Sequence, residues 1–332
     1  MGIVWHRRWN RFWVREQPVQ RVNYSIDSNP LNGGYSQNVW GRVTAQRMDY
    51  NNNDHRFDAA YTWDNEGRMT GTNYGPQYTF QYAANDRLGG MSGSDLTMTA
   101  SYGVAGEMTG LSYGGYSETR TYNALLQLTR TTVTGMMDMQ YVYAAGANNG
   151  RITQATDWVA GETVNYTYDA LNRLAAAGAT NGTWGQAFTY DGFGNLTGKT
   201  ATAGSPPTMS ASFDPATNRV VGGTYDANGN STAAGWVYDV ENRLIAGAGG
   251  TYTYYGIGGQ KLATLACEGP NNGCAPVEYN VYFGGKLVKS KGVVVVTDRL
   301  GSVRASGTER MTYYPYGEER TTTADGREKF GT

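Results

Sequence analysis

Polar and apolar residues alternate along most of the chain, and short turn-like stretches interrupt the alternation. The segments TNYGPQYTFQY (72–82), GETVNYTY (161–168) and GTYTYY (250–255) alternate Thr, Asn or Gln with Tyr, Val or Phe. A period of two residues is typical of β-strands, whose successive side chains point to opposite faces of a sheet. The pattern therefore predicts many short strands.

A seven-residue motif marks most of the interruptions: an aromatic residue, Asp, two variable residues, Gly or Asn, a polar residue and an aliphatic residue. Its copies are WDNEGRM (63–69), YAANDRL (82–88), YGVAGEM (102–108), YNALLQL (122–128), YDALNRL (168–174), YDGFGNL (190–196), YDANGNS (225–231) and YDVENRL (238–244). FDPATNRV (213–220) contains one extra residue, and YSQNVWGRV (35–43) is a longer version. The early copies start about 20 residues apart, which indicates a repeat architecture.

Substitutions within the motif predict a hairpin turn. The Asp is expected to accept hydrogen bonds from backbone N–H groups ahead of it, and a positive φ at the fifth residue completes a type I turn with a G1 bulge. Asn and Asp replace Gly most readily in that conformation. The first and seventh residues should then form a cross-strand pair. The predicted turn residues are Asp64, Gly67, Asp169, Asn172, Asp191, Gly194, Asp226, Gly229, Asp239 and Asn242.

Each repeat has the length of one β-hairpin. Two strands of six or seven residues and two short turns add up to about 20 residues. We therefore expect an all-β protein whose consecutive hairpins pair into a long antiparallel sheet. Because both faces carry many polar residues, the sheet is expected to curl around a wide, partly wet interior.

The composition agrees with this fold and limits the partners. Gly (46 residues) and Tyr (26) are abundant, whereas charged residues make up 17% of the chain. Tyr favours strands and Gly favours tight turns. The 27 basic and 28 acidic residues give a net charge of −1, which does not favour a nucleic-acid partner.

Few side chains suggest catalysis or metal binding. We interpret His6 and His55 as surface residues, because neither lies in a recognisable catalytic pattern. The aspartates recur in one turn position, as structural caps do, whereas a catalytic pair is unique. DANGN (226–230) begins like a calcium loop but lacks the closing Glu, so turn chemistry explains it better. We predict no catalytic, cofactor or metal site.

Cys267 and Cys274 are the two cysteines of the sequence. A zinc site would need two further ligands, which the neighbouring residues do not supply. The Gly-, Pro- and Asn-containing stretch between the two cysteines favours a disulfide across a hairpin tip, with free thiols as the alternative. A disulfide would imply an oxidising destination.

Two segments near the C-terminus give the repeats a family resemblance. VVVVTDRLGSVRA (293–305) resembles the D-x-L-G-S-x-R segment of the Rhs core, and YYPYGEE (313–319) resembles its Y-x-P-[FY]-G-E segment. The hairpin motif itself resembles the YD repeats of the Rhs family, which includes the C component of ABC toxins and the teneurin shell. The core residues that carry the resemblance are Asp298, Gly301, Arg304, Pro315 and Gly317.

The resemblance implies hairpins wound into a spiral antiparallel sheet that forms a hollow shell or curved wall. In the toxin members of the family the shell encloses a C-terminal toxin, which an aspartyl autoprotease site releases. Tyr314 stands here where the family has Asp before Pro, and the cleavage aspartates are expected beyond Thr332. We therefore predict no enzymatic activity and expect the chain to be part of a longer protein or of an assembly.

The expected organisation has three segments. Residues 1–34 form an irregular N-terminal segment, with a short amphipathic helix as the alternative because Trp5, Trp9 and Trp13 recur every four residues. Residues 35–292 form the hairpin array, and residues 293–332 begin the Rhs-associated core.

The predicted function is a non-catalytic shell segment of an Rhs-type protein that encapsulates or presents a C-terminal payload. The expected partners are that payload and other shell-completing chains. We expect a secreted or cell-surface location reached through a dedicated secretion system. The alternative is an extracellular adhesin that binds glycans through aromatic rings, or a self-assembling repeat protein.

Overall fold

The computed structural model describes residues 24–25, 34–50, 55–232, 236–239, 241–247, 251–267, 274–323, 328–329 and 331. Regular secondary structure in these ranges consists of β-strands, and they contain no helix that is long and apolar enough to cross a membrane. The prediction of an all-β fold is confirmed. The predicted N-terminal segment lies almost entirely outside the described residues.

The strands, in chain order, are β1 (Tyr24–Ser25), β2 (Gly34–Gln37), β3 (Val43–Tyr50), β4 (His55–Trp63), β5 (Met69–Asn73), β6 (Gln77–Tyr82), β7 (Leu88–Gly93), β8 (Thr97–Tyr102), β9 (Met108–Tyr113), β10 (Tyr116–Tyr122), β11 (Leu128–Val133), β12 (Met137–Tyr143), β13 (Ile152–Asp157), β14 (Glu162–Tyr168), β15 (Leu174–Ala179), β16 (Gly185–Tyr190), β17 (Leu196–Ala203), β18 (Met209–Ser210), β19 (Val237–Tyr238), β20 (Leu244–Ala246), β21 (Thr251–Tyr255), β22 (Lys261–Cys267), β23 (Cys274–Phe283), β24 (Lys286–Ser290), β25 (Val293–Thr297), β26 (Val303–Ser306) and β27 (Glu309–Arg310).

The chain divides into two compact units, each assembled from separate stretches of sequence. The first unit contains residues 1–97, 224–285 and 289–292, and the second contains 98–223, 286–288 and 293–332. This division differs from the three segments expected from the sequence, whose boundaries stay a prediction.

Strands that follow each other in sequence pair antiparallel within each unit, except that β1 pairs parallel with β2. In the first unit β2 to β7 form one ladder and β19 to β23 form another. In the second unit β8 to β18 form the longer ladder, and β25 to β27 form a short one. The predicted arrangement of consecutive hairpins in a long antiparallel sheet is therefore observed.

The motif YDALNRL forms the corner between β14 and β15. The N–H of Asp169 donates to the carbonyl oxygen of Arg173 (2.9 Å), and the N–H of Asn172 donates to that of Asp169 (3.0 Å). Asn172 has φ +65°, and the register shifts by one residue just before Tyr168, so that Tyr168 pairs with Leu174. This is the bulged hairpin turn that the motif predicts.

The same geometry recurs through the array. The fifth residue of each copy has positive φ, whether it is Gly, Asn, Asp or, in one copy, Leu: Gly67, Asp86, Gly106, Leu126, Asn172, Gly194, Asn218, Gly229 and Asn242. Residues 255–261 (YGIGGQK) form a further corner that the sequence pattern did not reveal, with Gly259 at φ +77°. Its Asp position is occupied by Gly256, which explains why it escaped recognition.

The opposite ends of several hairpins close with tighter turns. Gly114 and Gly115 join β9 to β10 and both have positive φ, at +55° and +82°. Two successive residues with positive φ are the requirement of a type I′ turn. The two edges of a ladder are thus built differently, with the seven-residue corners gathered along one edge.

Each unit has its own apolar core on the buried face of its strands. The first packs aromatic residues around Phe57, Tyr61 and Tyr254, and the rings of Phe57 and Tyr254 lie 4.8 Å apart. In the second unit, one cluster is rich in Met and surrounds Val133 and Met137, and another surrounds Trp184 and Phe188. Strands such as β8 alternate buried and exposed residues, because only one face of the ladder packs inward.

Cys267 and Cys274 occupy directly opposed positions on β22 and β23. Opposed residues of an antiparallel pair lie within the distance range that a disulfide spans. The side chains of both cysteines lie outside the described part of the chain, so the disulfide stays a prediction.

Leu126 provides a test of the corner geometry, because a Leu with φ +58° pays a steric penalty that Gly avoids. We expect Leu126→Gly to raise the free energy of unfolding by up to about 1 kcal/mol, since the Leu side chain is 51% exposed and loses little burial. The measurement is urea denaturation of both proteins.

The matched control is Ala124→Gly in the same turn, where φ is not positive and added backbone freedom should lower stability. Equal destabilisation by the two substitutions would contradict the assigned geometry.

Candidate functional site

The recurring Asp of the motif organises each corner. In YDALNRL, Oδ1 of Asp169 accepts hydrogen bonds from the N–H groups of Leu171 and Arg173, both at 2.9 Å. Its Oδ2 accepts a bond from Nε of Arg173 at 2.7 Å. The backbone N–H and the guanidinium of Arg173 together hold the pKa of Asp169 below its ordinary value. The carboxylate is therefore occupied by the turn, as predicted.

The sixth residue of the motif is the side-chain partner of this Asp. Arg occupies the position in some copies and Asn in others, and each donates to Oδ2 of the Asp four residues before it: Arg68 to Asp64, Arg173 to Asp169, Asn195 to Asp191, Asn230 to Asp226, and Arg243 to Asp239. In YNALLQL the polarity is reversed, because Nδ2 of Asn123 donates to Oε1 of Gln127 at 2.7 Å. The second and sixth residues thus act as a pair.

DANGN contains one of these pairs. Oδ1 of Asp226 accepts from the N–H groups of Asn228 and Asn230, and its Oδ2 accepts from the Asn230 side chain. The turn interpretation explains every bond of this carboxylate. Among the residues that the structure describes, no group of three or more His, Cys, Asp or Glu side chains is placed to hold a metal ion. His6 and the side chain of His55 lie outside those residues.

In most corners, the aromatic residue links the corner to the preceding one. The hydroxyl of Tyr190 donates to the carbonyl oxygen of Leu174, the seventh residue of the previous motif, at 2.8 Å. That oxygen is available because pairing of β15 with β16 begins only at Ala176. Equivalent bonds, at 2.7 to 3.0 Å, join Trp63 to Val43, Tyr82 to Met69, Tyr122 to Met108, Tyr143 to Leu128, Tyr168 to Ile152, Tyr255 to Leu244 and Tyr313 to Val303. Tyr282 makes the same kind of bond to Lys261, at 3.0 Å, although it precedes a two-residue turn and not a seven-residue corner. We call these bonds rungs.

Arginines at the sixth position reinforce the rungs. The guanidinium carbon of Arg173 lies 4.6 Å from the ring centroid of Tyr190, in the following corner, and Arg68 lies 4.8 Å from Tyr82 in the same way. Such a cation held above an aromatic face is stabilising. Burial raises the pKa of Tyr82, so its hydroxyl remains a donor to a higher pH than that of a free tyrosine.

The sequence pattern did not predict the rungs, which are hydrogen bonds between consecutive corners. The motif was expected to use its aromatic residue as an apolar cross-strand partner, for which Phe would serve equally well. The copies nevertheless contain Tyr or Trp at that position, except for Phe213. Trp63 forms its rung through Nε1, so the requirement is an aromatic ring that carries a donor. The preference for Tyr or Trp over Phe at this position was the feature of the sequence that could have revealed the rungs.

Both core segments adopt the same corner. The N–H of Asp298 donates to the carbonyl oxygen of Ser302 (2.9 Å), and Gly301 has φ +83°. In the second segment Gly317 has φ +95°. Pro315 occupies the third position, where its fixed φ suits a type I turn. The core segments are therefore continuations of the hairpin pattern.

Tyr314 occupies the Asp position of the second core corner. Its N–H donates to the carbonyl oxygen of Glu318 at 2.8 Å, so the backbone closes the turn without a carboxylate. The ring of Tyr314 packs edge-on against Trp184, with centroids 5.2 Å apart. At this position the aromatic ring contributes packing in place of a cap.

A buried lysine in the second unit carries a different set of contacts. Nζ of Lys286 donates to the carbonyl oxygen and to Oγ1 of Thr297, at 2.8 and 2.7 Å, and lies 3.3 Å from Oε2 of Glu118. Burial lowers the pKa of Lys286. Arg120 also pairs with Glu118, at 2.6 Å. Because the three donors of the ammonium group meet three acceptors, the arrangement is structural rather than nucleophilic.

No family model matches the chain, and no curated protein matches it either. Solved structures do match. A crystal structure of TcdB2-TccC3 superimposes with a TM-score of 0.60 and 15% identity, covering 91% of this chain and 21% of that one. The Tc holotoxin pore of Photorhabdus luminescens with a TccC3 variant gives a TM-score of 0.59 and 15% identity over 86% of this chain and 20% of that one.

The chain has an Rhs-like β fold. A crystal structure of TcdB2-TccC3-Cdc42 agrees, with a TM-score of 0.59 and 14% identity over 86% of this chain. The chain spans about a fifth of the length of the structures it matches. At such low identity the likeness establishes the fold alone, and it agrees with the resemblance seen in the repeats and core segments.

The rungs predict a specific cost for losing one hydroxyl. Tyr143→Phe removes the bond to the Leu128 carbonyl and leaves the ring in place, so the free energy of unfolding should fall by about 0.5–1.5 kcal/mol. Chemical denaturation gives this difference directly.

Tyr116→Phe is the control, because Tyr116 packs on the same apolar cluster and its hydroxyl forms no hydrogen bond among the described residues. The two substitutions should differ by the energy of the rung. A loss in the control equal to that in Tyr143→Phe would show that the rung contributes nothing.

Proposed function

We propose that the chain is a non-catalytic shell segment of an Rhs-type protein and helps to enclose or present a C-terminal payload of its parent. The observation that carries the proposal is the likeness to the TccC3-containing toxin structures over 86 to 91% of the chain. That likeness supports a structural β segment. Enclosure of a payload is the further step that we propose.

The chemistry of the corners supports a structural role. The polar side chains of the motif YDALNRL, Tyr168, Asp169 and Arg173, are engaged in a rung, a cap and an ion pair. A site that must bind and release a substrate needs unengaged groups. The repeated polar residues instead hold the array together, which is what a wall requires.

The buried faces of the ladders contain polar side chains that form hydrogen bonds inside the wall. Gln46 and Gln186 are fully or almost fully buried among apolar residues, and each donates through Nε2 to a backbone carbonyl, of Tyr255 and Pro207 respectively. We propose that such a wall makes only weak, adaptable contacts with the payload, which would suit many payload sequences. The partners we propose are the payload of the parent protein and shell-completing chains, in a secreted or cell-surface setting.

Limited proteolysis tests the enclosure. In the parent protein, which carries the chain together with its downstream payload, we expect a protease to cleave the payload many times more slowly than it cleaves the isolated payload. Substituting Tyr122, Tyr143 and Tyr190 with Phe removes three rungs and should speed payload cleavage, because the wall opens more often.

Tyr116→Phe, which removes no rung, should leave the cleavage rate unchanged. Cleavage of the payload at the same rate in the parent protein and in isolation would refute enclosure.

A second candidate function, assembly with further copies, is favoured by the turn tips. The fourth residue of several corners is apolar and exposed: Leu125 (67%), Leu171 (70%) and Phe193 (69%). Their corners lie along the same edge of the ladder in the second unit, with Leu171 and Phe193 on neighbouring hairpins. Rows of exposed apolar side chains mark interaction surfaces.

Sedimentation tests this candidate. The chain should associate in a concentration-dependent manner, and the double substitution Leu171→Ser and Phe193→Ser should make it monomeric without lowering its stability, since both side chains face solvent. Substituting two exposed polar residues, Thr167→Ser and Thr189→Ser, is the control. Association that survives the double substitution would rule out the tips as the interface.

A further inference from the structure

A cavity in the second unit differs from the corners because two of its polar side chains, Tyr141 and Arg304, keep unsatisfied donors. Its volume is about 310 Å³. One wall comes from β12 to β15 and the other from the two core segments. Tyr166, Trp184, Tyr313 and Tyr314 give it aromatic sides.

Tyr141 places an unpartnered hydroxyl in this cavity. The residue is 6% exposed, and its hydroxyl donates to no hydrogen-bond acceptor among the described residues. Leaving a buried donor unpaired is unfavourable, and native proteins rarely do so without a reason. The tyrosines that form rungs show the contrast, since each of them donates to a backbone carbonyl.

Arg304 lines the same cavity and is poorly satisfied. Its side chain is 14% exposed, and Nε lies 3.1 Å from Oδ2 of Asp298 without the alignment of a hydrogen bond. Nη1 and Nη2 have only long contacts of 3.5 Å, to the Met311 carbonyl oxygen and to Sδ of Met139. A guanidinium carries five N–H donors, so several of them remain available.

Two further arginines add positive charge to the lining. Arg151 lies over the ring of Tyr168, at 5.2 Å, and Arg299 lies over that of Tyr141, at 5.6 Å. Neither forms an ion pair with a carboxylate among the described residues.

The carboxylates that line the cavity are already engaged. Glu162 pairs with Arg320 and accepts a bond from Trp184 Nε1 at 2.9 Å. Asp298 accepts N–H bonds from Leu300 and Ser302 at 2.9 and 3.1 Å, and the third carboxylate, Asp157, accepts N–H bonds at 3.0 and 3.1 Å. The groups of the cavity that remain unsatisfied are therefore donors and positive charges, which an anionic acceptor would satisfy.

We propose that this cavity binds a carboxylate group attached to an aromatic or apolar body. A carboxylate only accepts hydrogen bonds and takes up to about four of them, which suits the Tyr141 hydroxyl together with the free donors of Arg304. Arg299 supplies further charge beside Tyr141. The volume is at the small end of ligand pockets and suits one ring with its acid group. The carboxylate belongs either to a free acid or to an acidic side chain of a peptide. This proposed binding site is independent of whether the chain encloses a payload.

The first test compares an acid with its neutral analogue on the full chain. Phenylacetate should raise Tm and give a saturable heat of binding in calorimetry, whereas phenylacetamide, which has the same shape without the charge, should do neither. Equal effects of the two compounds, or no effect of either phenylacetate or an acidic peptide, would overturn the proposal.

The second test removes the orphan donor. Tyr141→Phe should weaken phenylacetate binding by about tenfold or more, as expected for one hydrogen bond to a charged group. Its Tm without ligand should be unchanged or higher, because the hydroxyl satisfies no partner in the free protein. Unchanged phenylacetate affinity in Tyr141→Phe would contradict the assigned role.

Tyr74→Phe is the matched control. The Tyr74 hydroxyl is buried in the first unit and donates to the Asn280 carbonyl oxygen at 2.6 Å. This substitution should lower Tm and leave phenylacetate binding unchanged. Arg299→Gln, at an exposed residue that does not endanger folding, should weaken binding and reduce its salt dependence.

A last comparison distinguishes the sources of the carboxylate. The capped peptide Gly-Tyr-Asp-Gly is measured beside phenylacetate, with the Asn analogue of the peptide as its neutral control. Tighter binding of the Asp peptide supports a protein-borne carboxylate, and tighter binding of phenylacetate supports a free acid. A peptide that binds equally well with Asn would overturn the requirement for the charge.

Discussion

The hydrogen bond from the aromatic donor of one corner to the carbonyl that closes the previous corner, which recurs in most of the described corners, is the interaction on which the array depends. A bulged corner leaves the carbonyl of its seventh residue outside the ladder to the next strand, as at Leu174. A backbone acceptor left in a partly buried position is costly unless something donates to it. Tyr190 supplies that donor from the following repeat. Where a rung is present, the carbonyl left open by one turn is thus satisfied by the next repeat.

The polar interactions described for the corners connect a repeat with itself and with its neighbours along the chain. Cap, ion pair and cation–π contact all act within one corner or between neighbouring corners, so stability accumulates repeat by repeat. A missing rung is tolerable, and the chain contains one copy, with Phe213, that has no aromatic donor. In the described corners, the Asp at the second position of the motif and the Arg at the sixth pair with each other, so their charges are neutralised locally.

The core segments use the corner for a different purpose. Their turns have the same backbone bonds and positive φ as the YD repeats, yet Arg304 and the facing Tyr141 are left with donors that no nearby group accepts. Satisfied corners are suited to building a wall, whereas unsatisfied donors in a cavity are suited to holding a ligand. The contrast within one fold is what separates the structural part of this protein from its candidate binding site.

The sequence by itself determined the local geometry. Positive φ at Asn172 and at its Gly and Asp equivalents, the capping by Asp169, and the pairing of Tyr168 with Leu174 depend on residues within seven positions, whose preferences are intrinsic to the side chain and the backbone. The corner at 255–261 escaped recognition because Gly256 replaces the capping Asp.

The tertiary structure alone decided which polar groups meet across repeats. The rungs depend on strand register, and the cavity depends on bringing β12 to β15 against segments more than a hundred residues away. Those partners are chosen by packing, which no local pattern encodes.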